Sequence, residues 1–289
     1  MAPRTSVSEI TTLASSFADD LRLYADAGVD AVGIWELKLV EGGDAAALEL
    51  LQASGLETAS AVPAVPSILP LPLLGGPTDP AERVEALCAS LERLAPFRPS
   101  GVVCLTGTGA GGDADAARGV VVDGLRTLAR EAERLGLTIA LEPYQQRDGE
   151  PWSIVHSLGD AVELILDAGD PPGLGIQFDT WHLWSSPTVL DDVAEHAGRF
   201  AGVHVADYRE PTRSWADRVL PGDGVADLPR LLRALDEAGW EGPYDLELFS
   251  DDGTFGTALE GSLWAIDPQQ LVEQALESFR RCWEASLVA

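Results

Sequence analysis

The sequence predicts an α/β protein, a (β/α)8 or TIM barrel that occupies residues 1–289 as a single domain. Short apolar segments alternate with longer amphipathic segments along the whole chain, which is typical of repeated βα units around a parallel sheet. Up to eight strand segments can be counted, and no low-complexity linker divides them. A chain of 289 residues is long enough for one such barrel.

The strand and helix segments follow one another in regular order. The predicted strands are a weak segment near 6–12 and the segments 31–36, 56–62, 101–107, 137–143, 174–182, 200–207 and 244–250. Predicted helices include 15–28, 79–97, 114–136 and 224–240. Several of these helices end on glycine, as helices often do. The segment 62–80 is so rich in proline that we predict a loop over the barrel mouth.

An open, doubly wound sheet would show a similar alternation of strands and helices, so periodicity alone does not exclude it. The count of eight favours a closed barrel. A doubly wound nucleotide-binding protein is also expected to carry a glycine-rich turn after its first strand. Here the glycine-rich segment 107–112 follows the fourth strand, and we interpret it as a mobile βα loop.

Composition and charge narrow the function classes. A formal net charge of −28 makes nucleic acid a poor partner, because binding to phosphates needs a surface rich in Lys and Arg. No apolar run approaches the roughly 20 residues that cross a bilayer, and the first residues lack the apolar stretch of a secretory signal. We therefore expect a cytoplasmic protein without membrane contact. Cys88, Cys104 and Cys282 are widely spaced and are expected to be buried free thiols.

Four of the later strands each carry a good metal ligand near the carboxyl end: Glu142, Asp179, His204 and Glu247. Active sites of βα barrels are assembled at this end of the strands, so the four side chains are predicted to converge. Side chains alternate across a strand, which provides a check on this prediction. In each of the four strands the ligand shares its face with small or polar residues, whereas large apolar residues occupy the other face.

The three carboxylates would resist ionising together unless a cation lay between them. A divalent metal ion satisfies this requirement. Oxygen ligands with one imidazole nitrogen suit Mn²⁺, which we favour, and also Mg²⁺ or Co²⁺. The lack of cysteine ligands argues against a structural zinc site.

Five segments of the second half of the chain carry a resemblance to a known family. They are LEP at 141–143, FDTWH at 178–182, GVHVAD at 202–207, DRVLPGDG at 217–224 and DLELFS at 245–250. These segments resemble the xylose isomerase-like barrel superfamily, known broadly as sugar phosphate isomerases and epimerases. The resemblance extends over about 15–285 in layout and is specific over about 137–250.

The resemblance implies a metal-dependent enzyme in which Glu142 and Glu247 bind the metal and also serve as the acid/base pair. Asp179 and His204 match the other two metal ligands of the family. Metal chelation of a carbonyl and a neighbouring hydroxyl oxygen stabilises the enediolate that forms when the adjacent carbon loses a proton. Return of the proton gives an epimer or an aldose–ketose isomer, depending on the carbon that receives it.

The resemblance also implies that His182 and Arg218 contact substrate oxygens. Trp181, which lies between two of the matched residues, is predicted to line the pocket. The weaker candidates are Trp35, Trp152, Trp184, Trp215 and Trp264. Arg218 follows the histidine ligand by 14 positions, a longer gap than in the ketose 3-epimerases. The extra loop at 208–216 is expected to reshape the pocket.

Several functions stay open on the sequence alone. We favour an isomerase or epimerase and place a lyase or dehydratase acting on a keto-sugar, keto-glycoside or inosose second. No basic cluster or glycine-rich helix start suits a phosphate, so an unphosphorylated sugar or cyclic polyol ketone is the expected substrate. A DNA repair endonuclease is disfavoured by the net charge and by only four histidines. A sugar-binding protein without turnover is a further alternative. The sequence also leaves open which metal is native and whether the chain forms a homo-oligomer.

Overall fold

The computed structural model describes residues 2–71, 75–108, 113–145 and 152–288. It confirms the predicted fold, because eight parallel strands close into one barrel. The barrel strands are β1 (Thr5–Ser8), β2 (Ala31–Trp35), β3 (Glu57–Val62), β4 (Gly101–Cys104), β5 (Ile139–Leu141), β6 (Leu174–Asp179), β7 (Phe200–Val205) and β10 (Tyr244–Leu246). Two short strands, β8 (Asp207–Tyr208) and β9 (Arg218–Val219), pair antiparallel outside the barrel. Neighbouring barrel strands follow chain order, and β1 closes the barrel against β10.

Helices connect the strands and cover the outside of the barrel. They are α1 (Phe17–Asp26), α2 (Asp44–Ser54), α3 (Pro80–Leu94), α4 (Ala114–Leu135), α5 (Leu158–Asp167), α6 (Thr180–Leu183), α7 (Val189–His196), α8 (Leu228–Glu237) and α9 (Pro268–Ser286). Polar side chains cap several helix starts by accepting a backbone N–H, as Ser16, Asp79 and Asp113 do. The four predicted helices all contain an observed helix, and α4 ends on Gly136 in the left-handed conformation.

Most of the predicted strands run too far at their carboxyl ends, although the segment 56–62 ends with β3 at Val62. The segment 174–182 leaves the sheet after Asp179, because the Asp179 side chain accepts a hydrogen bond from the Trp181 backbone and starts the single turn of α6. Similarly, β5 ends at Leu141 and β10 ends at Leu246. Strand ends that carry functional side chains therefore pass into loops sooner than hydropathy indicates.

Polar residues fill part of the barrel interior, and two glycines make room for them. A Cβ atom at Gly33 would lie 2.2 Å from Oδ2 of Asp245, and one at Gly202 would lie 2.1 Å from Oε1 of Gln177. The outward-facing residues of the same strands, such as Phe178, are fully buried in the main hydrophobic core. This alternation confirms the division of faces on which the site prediction depends.

The proline-rich segment 62–80 forms no helix in its described part, apart from the first residue of α3, and Pro66 lines the cavity at the barrel mouth. Residues 72–74 of this segment lie outside the described residues, as do residues 109–112 of the predicted mobile loop. The three cysteines are free thiols, although Cys88 is only half-buried. Within the described ranges, every helix is too short or too polar to cross a membrane.

Candidate active site

Three of the predicted ligands form a compact buried group at the carboxyl ends of adjacent strands. Glu142 directly follows β5, Asp179 is the last residue of β6, and His204 is the register partner of Asp179 on β7. One ligand atom from each of these residues lies within 4.8 Å of the other two. Side chains separated by dozens of positions in sequence thus meet at one point, as the barrel geometry predicts.

The fourth predicted ligand, Glu247, lies beside this group and follows β10 directly. Its Oε2 atom is 3.3 Å from Nδ1 of His204, and Oε1 of Glu142 is 3.4 Å from the same nitrogen. Glu247 does not belong to the mutually close group of three. The structure therefore places three carboxylates around the imidazole of His204, and Glu247 also lies next to an arginine.

That arginine is Arg218, which is buried among the acidic side chains. One of its terminal nitrogens lies 2.9 Å from Oδ2 of Asp179 and 3.0 Å from Oε2 of Glu247. The guanidinium also packs over the rings of Trp181 and Phe249, at 5.2 and 5.0 Å from their centroids. Burial lowers the pKa of Arg218, but Asp179 and Glu247 outweigh it and raise this pKa above its ordinary value.

Electrostatic coupling around the imidazole shifts two pKa values strongly. Burial acts to lower the pKa of His204, yet Glu247 and Glu142 outweigh it and raise the pKa to about 10. The pKa of Glu247 rises to about 7, mainly through burial. The surrounding carboxylates therefore favour a positive charge at the centre of the group.

His182 lies in α6, three residues after Asp179 at the end of β6, and the two side chains are in contact. Its Nε2 atom is 3.4 Å from Oδ2 of Asp179, and its ring lies 4.0 Å from that of Tyr144. Burial lowers the pKa of His182 to about 4. The imidazole is therefore neutral at neutral pH, and a neutral imidazole can both donate a hydrogen bond and accept one.

The donor set fits a divalent metal ion. Oε1 of Glu142 and Nδ1 of His204 are buried, and neither has a hydrogen-bond partner among the described residues. The other nitrogen of His204 contacts Ser60, whose Oγ lies 3.1 Å away and donates a hydrogen bond to Asp245. This arrangement turns Nδ1 towards the carboxylates, as the outer partner of a metal-binding histidine commonly does.

A cavity of about 710 Å³, counted with the open solvent at its mouth, lies directly above this group. Glu142, His182, Arg218 and Glu247 line it. Two carboxylates thus face one cavity beside a cationic side chain, an arrangement that can remove and return a proton.

Trp181 occupies a different place from the one predicted. It is 4% exposed, does not line the cavity, and packs behind Arg218 against the ring of Tyr208 at 5.2 Å. Trp181 lies in the single turn of α6, which begins directly after Asp179, and its indole is buried. Trp181 therefore borders the site through Arg218, and its direct contact with a substrate stays a prediction.

Other aromatic residues line the cavity instead, and sequence reasoning missed three of them: Tyr144, Phe249 and Phe255. A signal for two of these was present. Tyr144 and Phe249 each lie two positions after a predicted glutamate ligand, and alternation places such positions on the same face. Phe255 belongs to an irregular segment in which no such period applies.

Comparison with known proteins places these features in context. A family model described as xylose isomerase-like TIM barrel matches residues 21–282. An inosose dehydratase of Geobacillus thermodenitrificans is 28% identical over 147 residues, which are 46% of this chain and 47% of the relative. An inosose isomerase of Halalkalibacterium halodurans is 27% identical over 132 residues, 44% of this chain and 45% of the relative. The matches span about half the length of these curated relatives.

The fold is shared over a greater length with solved structures. An L-ribulose 3-epimerase superposes with a TM-score of 0.77 at 19% identity, over 99% of this chain and 96% of the epimerase. At this level of identity the likeness establishes the architecture, whereas the chemistry depends on the residues described above.

Proposed function

Because this chain belongs to the xylose isomerase-like TIM barrel family, we propose that it is a divalent-metal-dependent isomerase or epimerase acting on a sugar-like hydroxy-ketone. The observation that carries the proposal is the pair Glu142 and Glu247. Both carboxylates line one cavity, and each lies within 3.4 Å of the same nitrogen of His204. Two acid/base groups at one site are what a proton transfer between faces or carbons requires.

Glu142, Asp179, His204 and Glu247 would hold the metal ion, and Mn²⁺ is our first candidate because the donors are three carboxylates and one imidazole. When bound, such an ion polarises a carbonyl oxygen and makes the neighbouring C–H more acidic.

The protein's own side chains perform the proton transfers in this proposal. One glutamate removes the proton from the carbon next to the carbonyl group, and the other returns a proton. Return to the opposite face of the same carbon yields an epimer, whereas return to the adjacent carbon yields an aldose–ketose isomer. Positioned acid/base groups typically contribute about 10² to 10⁴ in rate.

His182 and Arg218 orient the substrate. The guanidinium of Arg218 is held by two carboxylates and the imidazole of His182 by Asp179 and Tyr144, so both present fixed polar groups to the cavity. Rigid placement of this kind favours one substrate orientation over others.

A dehydratase is the second candidate, favoured by the match to an inosose dehydratase. The same first step, removal of a proton next to a carbonyl group, leads to elimination when the neighbouring carbon carries a hydroxyl group. The leaving hydroxide then takes up a proton and departs as water.

Deuterium uptake from heavy water tests the proposal. The protein is stripped with a chelator, reloaded with Mn²⁺ and incubated with a panel of ketoses and inososes, and exchange at carbon is followed by NMR. We expect exchange in the loaded protein and none after stripping. Exchange without loss of water supports the isomerase or epimerase, whereas an enone absorbance supports the dehydratase.

Matched glutamine variants assign the exchange to the site. Glu142→Gln and Glu247→Gln should each slow exchange by about 10²- to 10⁴-fold. Glu237→Gln, on the solvent side of α8, makes the same chemical change outside the site and should leave the rate unchanged. Undiminished exchange in both site variants would contradict the proposal.

A further inference from the structure

The lining of the cavity divides into two chemically distinct parts. Glu142, His182, Arg218 and Glu247 form a polar floor. Six aromatic side chains form what we call the aromatic wall: Trp35, Tyr144, Trp152, Trp215, Phe249 and Phe255. The remaining lining residues are aliphatic or proline, so within the described part of the chain the space above the floor is bounded by apolar groups.

The aromatic wall is continuous. Trp215 lies at its centre, with ring centroids 5.0 Å from Trp152, 5.5 Å from Phe249 and 5.2 Å from Phe255. Trp152 stacks on Tyr144 at 5.8 Å with only 10° between the ring planes. At the other end, Phe249 contacts Trp35 at 5.5 Å. Contacts at these distances are favourable aromatic packing and form one uninterrupted surface.

Hydrogen bonds hold parts of this wall in place. The indole N–H of Trp35 donates to Oγ of Ser8 at 2.9 Å, and its backbone N–H donates to Glu9. The loop that carries Trp215 is anchored because the Arg213 guanidinium is paired with the buried Asp217. The aromatic rings are therefore presented to the cavity by ordered segments, which lowers the entropy cost of binding.

A bare polyol is a poor match for this space. Each hydroxyl group that leaves water needs a hydrogen-bond partner, or its burial is unfavourable. Apart from indole N–H groups, the hydrogen-bonding side chains of the described lining are the polar floor and Tyr144. The floor can thus take one polar portion of a ligand, and the wall requires an apolar remainder.

We propose that the substrate carries a planar aromatic substituent, which binds against the aromatic wall while its hydroxy-ketone portion reaches the polar floor. The inference rests on the proposed function, because that function assigns the floor to the reacting portion. Flat rings match a wall of this kind better than aliphatic chains, since offset stacking adds to the burial of apolar surface.

A matched pair of glycosides tests the inference by binding alone. Phenyl β-D-glucoside and methyl β-D-glucoside share the polyol and differ in the aromatic ring, and isothermal titration calorimetry measures both with the Mn²⁺-loaded protein. We expect the phenyl compound to bind about tenfold or more tightly than the methyl compound. Equal affinity, or no binding by either glycoside, would overturn the inference.

Three variants locate the effect. Trp215→Ala removes the centre of the wall, and Phe255→Ala removes a half-buried ring at its edge, which provides a second test if the first variant folds poorly. Both should reduce the phenyl preference to less than about threefold. Trp240→Ala removes an indole that contributes to a pocket near the opposite end of the barrel and should leave the preference intact. A preference retained in both wall variants would refute the assignment.

The binding experiment tests the aromatic substituent and the exchange experiment tests the proposed function, so each hypothesis can be rejected without the other. Exchange with simple ketoses but no phenyl preference overturns the inference and leaves the proposed function standing. A phenyl preference without exchange on any ketose supports the aromatic subsite and counts against the proposed chemistry.

Discussion

The substitution Gly33→Ala tests the packing beneath the active site. Gly33 lies on β2 inside the barrel, where a Cβ atom would lie 2.2 Å from Oδ2 of Asp245. Asp245 would have to move by about 1 Å to restore an ordinary contact. That oxygen accepts a hydrogen bond from Ser60 at 2.8 Å, and Ser60 contacts Nε2 of His204. The substitution therefore disturbs the residues that orient His204, a proposed metal ligand, and leaves His204 itself unchanged.

The expected cost has two parts. Overpacking of a rigid interior costs about 1 to 3 kcal/mol, and loss of a buried hydrogen bond costs about 1 to 3 kcal/mol more. A loss of this size should lower the melting temperature by about 5 to 15 °C in a domain of this length. Since Ser60 and Asp245 orient the imidazole of His204, the affinity for Mn²⁺ should fall by about 10- to 100-fold.

Calorimetric melting and metal titration measure the two effects. Gly119→Ala is the matched control, because nothing lies within 4 Å of a Cβ atom there and the residue is inside α4. This control should gain about 0.5 to 1 kcal/mol from better helix propensity. If Gly33→Ala keeps the melting temperature and the Mn²⁺ affinity of the wild type, the interior is not tightly packed around Asp245. That result would also contradict the proposed support of His204 by Ser60 and Asp245.

Two further predictions concern the buried polar cluster beside β1. Lys38→Met should destabilise the protein by about 3 to 5 kcal/mol in urea unfolding, because the Lys38 side chain is 4% exposed and pairs with the fully buried Asp20 at 2.5 Å. The control Arg22→Met removes an exposed ion pair and should cost no more than about 1 kcal/mol. Equal losses of stability in the two variants would contradict the reasoning. Burial raises the pKa of Glu9 from 4.5 to about 8, so between these pH values the unfolded chain releases a proton that the native protein keeps. As the pH rises through this range, Glu9 should therefore lower the free energy of unfolding by up to about 1.4 kcal/mol per pH unit. Free energies of unfolding measured from pH 5 to 8 should show this slope in the wild type and its loss in Glu9→Gln. Parallel curves for the two proteins would refute the assignment of the slope to Glu9.

The repeated βα pattern could be read from the sequence because strand and helix periods are local properties of the chain, and the count of eight strands then favoured a closed barrel. Alternation along the strands also predicted which face of β5, β6, β7 and β10 points inward, and with it the meeting of Glu142, Asp179 and His204. The partner of His204 could not be predicted in this way. Ser60 lies on β3, across the barrel, and its contact with His204 depends on how the barrel closes.

The interval of 14 positions between His204 and Arg218 has a structural reason. The pairing of β8 with β9 encloses residues 209–217, which form an anchored loop. Arg209 and Arg213 both pair with Asp217, which fixes the base of this loop and directs Trp215 into the cavity. Arg218 keeps its position between Asp179 and Glu247 because it lies in β9, after the loop has closed. The loop therefore leaves the polar floor intact and contributes Trp215 to the wall of the pocket, which is where selectivity for the remainder of a substrate would be decided.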